Sequence, residues 1–379
     1  MWANRKSIES VVDQLRRKPP PYCPNPKCDC HMRGNGRFRR NGQRKIQRFP
    51  YVTLRFICIK CGISFSSSFF SLSFRDHLDD IYEEIFDLHC MGVPKRTIAK
   101  RVGCSEASIR QKVSKLARWS LARLGRDMSR VRIDEPIAYD GLENFSFSQY
   151  DPNNLNHAIG KLSHYTYDFN FSPMNRKGRM SERQVLKKRR LEEEYGFYPK
   201  RAIQSSTKKI FERLVSKAGV NLELHSDNHF AYREVISKTK SLARIHHMIT
   251  PAKLARCYRN RLFAVNHLDL LTRQKLAAFK RETIAFSKTS IAMQESFAIF
   301  TVWKNYIRTI FEKEHVRDPL VHRETPAMRV GLEKKPLRFS ELFRERITLD
   351  QAGLHEDWLN LFRRIDISSR RPIKAYFGI

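Results

Sequence analysis

The stretch NLELHSD at residues 221–227 decides the fold of the largest region of the chain, because its pattern is typical of a strand with Asp227 at its C-terminal end. Upstream, IDEPIAYD at residues 133–140 predicts another strand, with Asp140 at its end. Between these two stretches, HYTYDFNF alternates strictly between polar and aromatic residues, which predicts a half-buried strand. Helical patterns separate these strands. Residues 130–312 are therefore expected to form an α/β domain in which the two aspartates lie over one crevice.

Two aspartates at neighbouring strand ends predict a divalent-metal site. Either aspartate alone would more simply cap a turn or a helix. Two carboxylates at close range repel each other unless a cation lies between them. A pair of Mg²⁺ or Mn²⁺ ions held by Asp140 and Asp227 would activate one oxygen and stabilise the leaving oxygen in phosphoryl transfer. The shared position therefore favours metal-dependent chemistry on a phosphodiester.

Cysteines near the N-terminus predict a structural zinc site. They pair with the spacing of zinc knuckles in CPNPKC and in CIKC. The predicted ligands are Cys23, Cys28, Cys58 and Cys61. Each pair can form a knuckle whose thiolates converge on one tetrahedral ion, and four thiolates suit Zn²⁺. With turn residues and short strands between the pairs, residues 21–75 are expected to form a zinc ribbon.

The overall use of cysteine agrees with an intracellular metal-binding protein rather than a secreted disulfide scaffold. Five of the 8 cysteines lie in the zinc-ribbon region, and the other three are scattered along the chain. The fifth cysteine, Cys30, is followed by His31. The sequence leaves open whether either of these residues replaces Cys28 as a ligand.

Residues 76–125 predict a helix-turn-helix. This motif needs a small side chain, a glycine in the turn and a buried aliphatic side chain. In GVPKRTIAKRVGCSEASIRQKV, these positions are Ala99, Gly103 and Ile109. Ser105 is expected to cap the second helix. The side chains expected to face outward and contact DNA are Ser108, Arg110, Gln111 and Lys115. Arg and Gln suit base edges and Lys suits phosphates, whereas the alternative is a three-helix core with a solvated basic face.

The charge of the chain indicates a polyanionic partner. The 379 residues include 72 Lys+Arg and 39 Asp+Glu, a formal net charge of +33, while 41% hydrophobic residues supply material for a core. No apolar run is long enough to span a membrane. Residues 1–20 carry charges where a secretory signal needs an apolar stretch. We therefore expect a cytoplasmic protein that binds nucleic acid and no membrane.

Taken in order along residues 20–335, these motifs resemble those of DDE/DDD-type transposases of bacterial insertion sequences. The resemblance rests on CIKC, the helix-turn-helix, DGLENFSFSQY around Asp140, HSDNHFAY around Asp227, VNHLDLLTRQKLAAFKRETIAFSK and ETPAMRVGL. It implies a multi-domain protein whose α/β domain is RNase H-like, with a third acid on a late helix. It also implies a homo-oligomer that cuts double-stranded DNA at the terminal repeats of its element and joins it to target DNA. In a bacterial host, such a protein would be associated with the nucleoid.

The third acid is where this sequence departs from the family. Alignment on the segment RETIAFSK places Asn266 at the expected position of the acid. Asp269 lies one turn further along on the same helix face. We expect Asp269 to be the third ligand, with Asn266 as a weaker neutral ligand or neighbour. The weaker acidic candidates are Glu143, Glu282 and Glu295.

An insertion and a tail complete the predicted organisation. The charged stretch at about 172–202 predicts a helical insertion in the catalytic domain. Its residues Arg176, Lys177 and Arg179 have no nearby acidic partner in the sequence and are expected to contact DNA phosphates. Residues 313–379 are expected to form a C-terminal tail with a final helix.

Three other functions fit parts of the sequence. A transcription regulator accounts for the zinc ribbon, the helix-turn-helix and the charge, but leaves the paired aspartates without a purpose. A catalytically silent protein derived from a transposase accounts for every motif, including the missing acid at Asn266. A structural nucleoid protein accounts for the charge alone. Metal-dependent cleavage separates the active enzyme from all three.

Overall fold

The computed structural model describes residues 20–31, 36–45, 52–76, 81–251, 253–280, 284–310 and 323–365. The predicted N-terminal segment, except for Pro20, and the candidate Glu282 lie outside the described residues. The chain forms two compact units. The first combines Met1–Asp80 with Ser340–Gln351, and the second combines Ile81–Phe339 with Ala352–Ile379. The region predicted as a C-terminal tail therefore contributes to both units.

The described residues contain eight strands and twelve α-helices. The strands are β1 (Phe38–Lys45), β2 (Val52–Cys58), β3 (Ser64–Ser66), β4 (Ile137–Phe145), β5 (Pro152–Gly160), β6 (Thr166–Pro173), β7 (Leu222–Ser226) and β8 (Ile245–Ile249). The helices are α1 (Tyr82–Cys90), α2 (Lys95–Arg101), α3 (Glu106–Met128), α4 (Glu182–Tyr195), α5 (Ala202–Lys217), α6 (Phe230–Lys238), α7 (Phe263–Lys275), α8 (Ser290–Val302), α9 (Pro326–Arg329), α10 (Phe339–Leu342), α11 (Leu349–Ala352) and α12 (Glu356–Arg363). A π-helical turn, Trp303–Ile307, continues α8.

The first unit is built on a small antiparallel sheet in the order β1-β2-β3. Leu54, Phe56 and Phe65 form its apolar core together with the buried cysteines. Seven of the 8 residues of β1 are exposed, so this strand adds little to the core. The core is small, and a module of this size commonly needs a metal to be stable.

The first helices of the second unit confirm the predicted helix cap, turn glycine and buried aliphatic side chain. Ser105 caps α3 by accepting a hydrogen bond from the Ser108 amide at 3.1 Å. Gly103 has φ of +67°, the left-handed conformation that a turn glycine adopts at low cost. Ile109 and Val113 are fully buried. The helix α3 is 23 residues long and packs against α8, so the helical segment and the α/β region share one core.

The second unit contains a mixed five-stranded sheet in the order β6-β5-β4-β7-β8. β4, β5 and β6 are antiparallel neighbours, whereas β4, β7 and β8 run parallel. This mixed α/β architecture agrees with the predicted fold class at that level of detail.

Different helices cover the two faces of this sheet. Tyr139 on β4 packs against Phe211 of α5 and Tyr232 of α6, with ring centroids 4.7 and 4.9 Å apart. On the other face, His157 of β5 lies 6.0 Å from Phe297 of α8, measured between ring centroids. Successive side chains alternate between the faces. Asp140 follows Tyr139 and pairs with His157 in the register, so it lies on the second face.

Two predictions about the strands were wrong in detail. β4 begins at Ile137 and continues to Phe145, so Asp140 lies within the strand rather than at its end. β6 is buried on both faces instead of one. Its buried acid is paired inside the protein, because Asp168 lies 2.6 Å from Arg213 Nε and 3.3 Å from His355 Nε2.

The predicted insertion forms a separate helix between β6 and α5. Ser181 caps this helix, α4, in a capping box with Gln184. Leu191 is its one fully buried residue, and it packs with Tyr150. The other side chains of α4 are half-buried or exposed. No helix in the described part of the chain is both long and apolar enough to cross a membrane.

Candidate functional site

The four predicted zinc ligands lie together in the first unit. The Sγ atoms of Cys23 and Cys61 are 3.6 Å apart, and those of Cys28 and Cys58 are 3.8 Å apart. All four sulfur atoms lie within 4.8 Å of one another. A tetrahedral site with Zn–S bonds of about 2.3 Å requires S···S separations of about 3.8 Å. The cluster therefore fits a metal such as zinc.

The structure answers the question about the residues that follow Cys28. Cys28 itself belongs to the thiol cluster, and Cys30 packs against the small core instead. His31 turns its Nδ1 toward the Cys23 carbonyl oxygen at 2.5 Å and its Nε2 toward Asp350 at 3.3 Å. His31 thus supports the backbone of the knuckle rather than supplying a ligand.

The backbone around the second knuckle favours a thiolate at Cys58. Burial acts to raise the pKa of this thiol, but the backbone N–H groups of Cys61 and Lys60 outweigh it and lower the pKa to about 7. By contrast, burial raises the pKa of Cys23 far above its ordinary value. Without metal, Cys58 therefore loses its proton more readily than Cys23, and a cation is needed to hold all four thiolates together.

The second candidate site lies on the five-stranded sheet, where the strand register places Asp140 level with Asp227. Ala138 pairs with His225 in the parallel ladder between β4 and β7. Asp140 and Asp227 each follow these partners by two residues. Asp227 comes directly after β7 and accepts a hydrogen bond from the His229 amide at 3.0 Å. The predicted closeness of the two aspartates follows from this register.

The third predicted acid reaches the same place from α7, which packs on β4 and β5. Asp269 Oδ1 lies 2.9 Å from Nε2 of His157. His157 is fully buried, and its Nδ1 lies 3.0 Å from the Leu155 carbonyl oxygen. A carboxylate this close to the imidazole favours the protonated form of the ring. Burial acts to lower the pKa of His157, but the charges of Asp269 and Asp140 outweigh it and raise the pKa.

The three aspartates interact electrostatically. Burial, followed by the charge of Asp269, raises the pKa of Asp140 from 3.8 to about 7, and the charge of Asp227 adds to the effect. The Gly141 amide opposes it by donating a hydrogen bond to Asp140 Oδ1 at 2.7 Å. A carboxyl with this pKa is half protonated near neutral pH. It is therefore poised to exchange its proton for a metal cation.

The donors at this site are of the type that Mg²⁺ and Mn²⁺ prefer, but they are not gathered into a closed cage. Among the described residues, only the four thiols bring three or more ligand atoms within 4.8 Å of one another. The acids Asp140, Asp227 and Asp269 are each partly exposed. Mg²⁺ commonly uses one or two carboxylates and fills its other positions with water and substrate phosphates. An open, partly exposed set of carboxylates fits that mode of binding.

The remaining acidic candidates lie elsewhere or point to solvent. Glu143 is exposed. Glu295 is buried, accepts a hydrogen bond from Ser114 Oγ at 2.6 Å, and lies 3.2 Å from Arg364 Nε. Its contacts are structural and tie α8 to α3. Asn266 is partly exposed on α7, one turn before Asp269.

The predicted DNA contacts are exposed to different degrees. Arg110 and Gln111 are exposed on α3, and Ser108 is half-buried. Lys115 is also half-buried, with its Nζ 5.8 Å from the ring centroid of Tyr82. In the insertion, Lys177 and Arg179 are exposed and Arg176 is half-buried. Arg110, Gln111, Lys177 and Arg179 are therefore the most accessible of the set.

Sequence reasoning missed two buried polar residues of this unit. His157 was not singled out, because the stretch PNNLNHAIG carries no motif. Its position opposite Asp140 becomes visible only through the β4–β5 register. Asp168 was treated as the exposed side of an alternating strand, yet it is buried and paired with Arg213.

No protein-family model matches the chain, and a search of curated proteins finds none that is significantly similar to it.

Proposed function

We propose that the chain is a DNA transposase of the DDE/DDD type with an RNase H-like catalytic domain. The observation that carries this proposal is the meeting of three aspartates on one sheet. Asp140 lies on the central strand β4, Asp227 follows its parallel neighbour β7, and Asp269 projects from α7 onto the same face. The sheet order, with three antiparallel strands followed by two parallel ones, is the order that the proposal requires.

In this proposal, Asp140, Asp227 and Asp269 hold divalent cations against a DNA phosphate. Two bound Mg²⁺ or Mn²⁺ ions would supply an activated water oxygen and would stabilise the leaving oxygen. The residues of the chain place the carboxylates, and Asp140 releases its proton as a cation binds. The same site would then use the freed 3′-hydroxyl for strand transfer to target DNA. No covalent intermediate with the protein is needed.

DNA recognition is assigned to the basic surfaces of both units. Arg110 and Gln111 on α3 would contact base edges at the element's terminal repeats. The zinc ribbon would add contacts through the exposed basic strand β1, and Lys177 and Arg179 of the insertion would contact phosphates. Two element ends must be brought together, so we propose that the protein acts as a homo-oligomer in association with the nucleoid.

One observation favours a second candidate, a catalytically silent DNA-binding protein or transcription regulator. Asp269 already has a buried partner, because Nε2 of His157 lies 2.9 Å from its carboxylate and the pKa of this histidine is raised. That histidine competes with a metal ion for the carboxylate. In addition, Asn266 stands where the related transposases carry the acid.

The experiment that separates the two candidates is metal-dependent nicking. The substrate is a supercoiled plasmid carrying the genomic DNA from both sides of the gene for this chain. We expect wild-type protein to nick it with Mn²⁺ or Mg²⁺, and Asp140→Ala, Asp227→Ala and Asp269→Ala to bind but not cut. Asp134→Ala is the matched control, because Asp134 is an exposed acid just before β4.

Each outcome bears on one part of the proposal. If Asp269→Ala alone still cuts, the third ligand is a different residue and Asn266 is tested next. Binding without cutting by the wild-type protein would exclude the enzyme and support the silent candidate.

A further inference from the structure

The loop between β8 and α7 is attached at both ends to the elements that carry the aspartates. At its start, the Thr250 amide donates a hydrogen bond to the Ser226 carbonyl oxygen at 2.9 Å, one residue before Asp227. At its end, the chain enters α7, on which Asp269 lies. The loop therefore borders the proposed catalytic site.

The composition of this loop differs from that of its surroundings. It carries four cationic side chains, and the sequence from Ile245 to Leu268 contains no Asp or Glu. The cations are Lys253, Arg256, Arg259 and Arg261. Two large apolar side chains accompany them in solvent, since Tyr258 is 71% exposed and Leu254 is 54% exposed. Cations beside exposed rings are the combination that binds single-stranded nucleic acid.

Hydrogen bonds within the loop fix its backbone. Asn260 donates from Nδ2 to the Ala255 carbonyl oxygen at 2.9 Å, and its Oδ1 accepts from the Leu262 amide at 2.8 Å. Its own amide donates to the Cys257 carbonyl oxygen at 2.9 Å. The ring of Tyr258 is thus presented from a loop that is braced on either side of it, and less entropy is lost when a ligand stacks on it.

A cation is held beside the same ring. Arg259 Nε donates a hydrogen bond to the Tyr258 hydroxyl at 3.0 Å, and the guanidinium carbon lies 5.4 Å from the ring centroid. The side chain of Tyr258 is 71% exposed, so the ring keeps open surface for an aromatic ligand beside this cation. The guanidinium also remains available for a phosphate, because one hydrogen bond uses one of its five N–H donors.

We propose that this loop binds an unpaired stretch of the DNA strand next to the scissile phosphate, with a base stacked on Tyr258. Arg259 and its cationic neighbours would contact the phosphates on either side of that base. This inference rests on the proposed function and deepens it, because it names the form of DNA that the site holds. A fully paired duplex does not expose base faces, so the loop should distinguish unpaired from paired DNA.

The test compares two short DNA probes that share one duplex sequence. One probe is fully paired, and the other carries an unpaired 3′ extension with 2-aminopurine. Binding to full-length protein is measured by anisotropy in Ca²⁺, together with the quenching of 2-aminopurine on stacking. We expect Tyr258→Ala to weaken binding of the extended probe by roughly 5- to 150-fold, to abolish quenching, and to change duplex binding much less.

Two variants serve as controls. Tyr258→Phe keeps the ring and should retain both binding and quenching. Leu162→Ala removes an apolar side chain that is 62% exposed from the turn after β5 and should change neither. Equal losses for both probes in Tyr258→Ala, or no loss for the extended probe, would overturn the inference. If the wild-type protein never nicks DNA but the Tyr258 difference persists, the loop assignment stands while the enzyme proposal fails.

Discussion

The four thiols of the first unit and the three aspartates of the second both bring like charges together, but they are held by different means. The thiols lie within 4.8 Å of one another on two short knuckles over a small core. The aspartates are placed by the ladders of a five-stranded sheet and by a helix packed on it. His157 Nε2 lies 2.9 Å from one of them, Asp269, and the charges of Asp269 and Asp140 raise the pKa of this histidine.

This difference indicates which of the two sites needs a bound metal to keep its structure. Four thiolates held this close repel one another, so we expect a bound metal ion to supply much of the stability of the first unit. In the second unit, the sheet holds the carboxylates in place, and burial, followed by the charge of Asp269, raises the pKa of Asp140. The first site is therefore expected to collapse without metal, and the second to persist.

The largest expected effect comes from removing a zinc ligand. Cys58→Ser should release one Zn²⁺ per chain and unfold the first unit, because structural zinc contributes about 10–16 kcal/mol at neutral pH in comparable small modules. The second unit should stay folded. Zinc content is measured with a metallochromic dye, and the second unit is followed through the fluorescence of Trp119, Trp303 and Trp358, which lie within it.

An exposed cysteine outside the cluster provides the matched control for this change. Cys257→Ser removes a thiol that is exposed and outside the cluster, so zinc content should not change. Retention of full zinc stoichiometry in Cys58→Ser would mean that the ion is held by a different ligand set. The distinction between the two sites would then have to be redrawn.

A smaller effect on stability is expected from substitution of Asp168, a buried aspartate that lies close to Arg213 and His355. Arg213 and His355 outweigh the effect of burial and lower the pKa of Asp168. Its contribution to stability is therefore present above about pH 4 and is lost as the pH falls below that value. Asp168→Asn should destabilise the second unit by about 3 kcal/mol at pH 7, because Arg213 loses its buried partner and keeps only Asp357. Urea unfolding followed by tryptophan fluorescence measures the loss.

The contribution of Asp140 to stability should change with pH in the opposite sense. Its pKa is raised from 3.8 to about 7 in the folded protein, so the stability contributed by its proton is present below about pH 4 and is lost as the pH rises through 7. Asp140→Asn should therefore stabilise the second unit above pH 7 without divalent ions. The carboxyl keeps some contact with solvent, so we expect about 2 kcal/mol rather than the full value of about 4 kcal/mol.

Urea unfolding at pH 4 and pH 8 tests the sign of this change in stability. The gain of Asp140→Asn should vanish at pH 4, where the wild-type carboxyl is largely protonated. Added Mn²⁺ should stabilise the wild-type protein and leave the variant unchanged. A variant that is less stable than wild type at pH 8 would show that the aspartates do not repel one another as the geometry indicates.

Much of both sites could be predicted from the sequence, because their signals are local. Thiol spacing in CPNPKC and CIKC specifies two knuckles, and the four sulfur atoms do come together. The strand NLELHS with Asp227 after it is recognisable from its own residues. The capping of α3 by Ser105 depends on a few neighbouring residues and was predicted correctly.

What the sequence could not supply depends on contacts between distant segments. His157 lies opposite Asp140 only because β5 pairs with β4. The burial of Asp168 depends on Arg213 of α5 and on His355, which lies almost two hundred residues further along the chain. The alternation of β6 looked half-buried because periodicity reports polarity and cannot report a buried ion pair.

The smallest expected effect concerns the proposed DNA contacts of the helical segment, which lie outside both candidate metal sites. Arg110→Ala removes an exposed cation from the start of α3 and should weaken specific binding by about 1–3 kcal/mol if the guanidinium contacts a base edge. A phosphate contact would instead weaken binding to all sequences alike and lower the salt slope by about 1.

The matched control is Arg101→Ala, which removes an exposed arginine on α2 whose Nε lies 2.8 Å from Glu84. Because that arginine is already paired, its removal should change binding little. Equal losses for Arg110→Ala and Arg101→Ala would indicate that the helical segment contributes only diffuse charge, and sequence recognition would then belong to the zinc ribbon or the insertion.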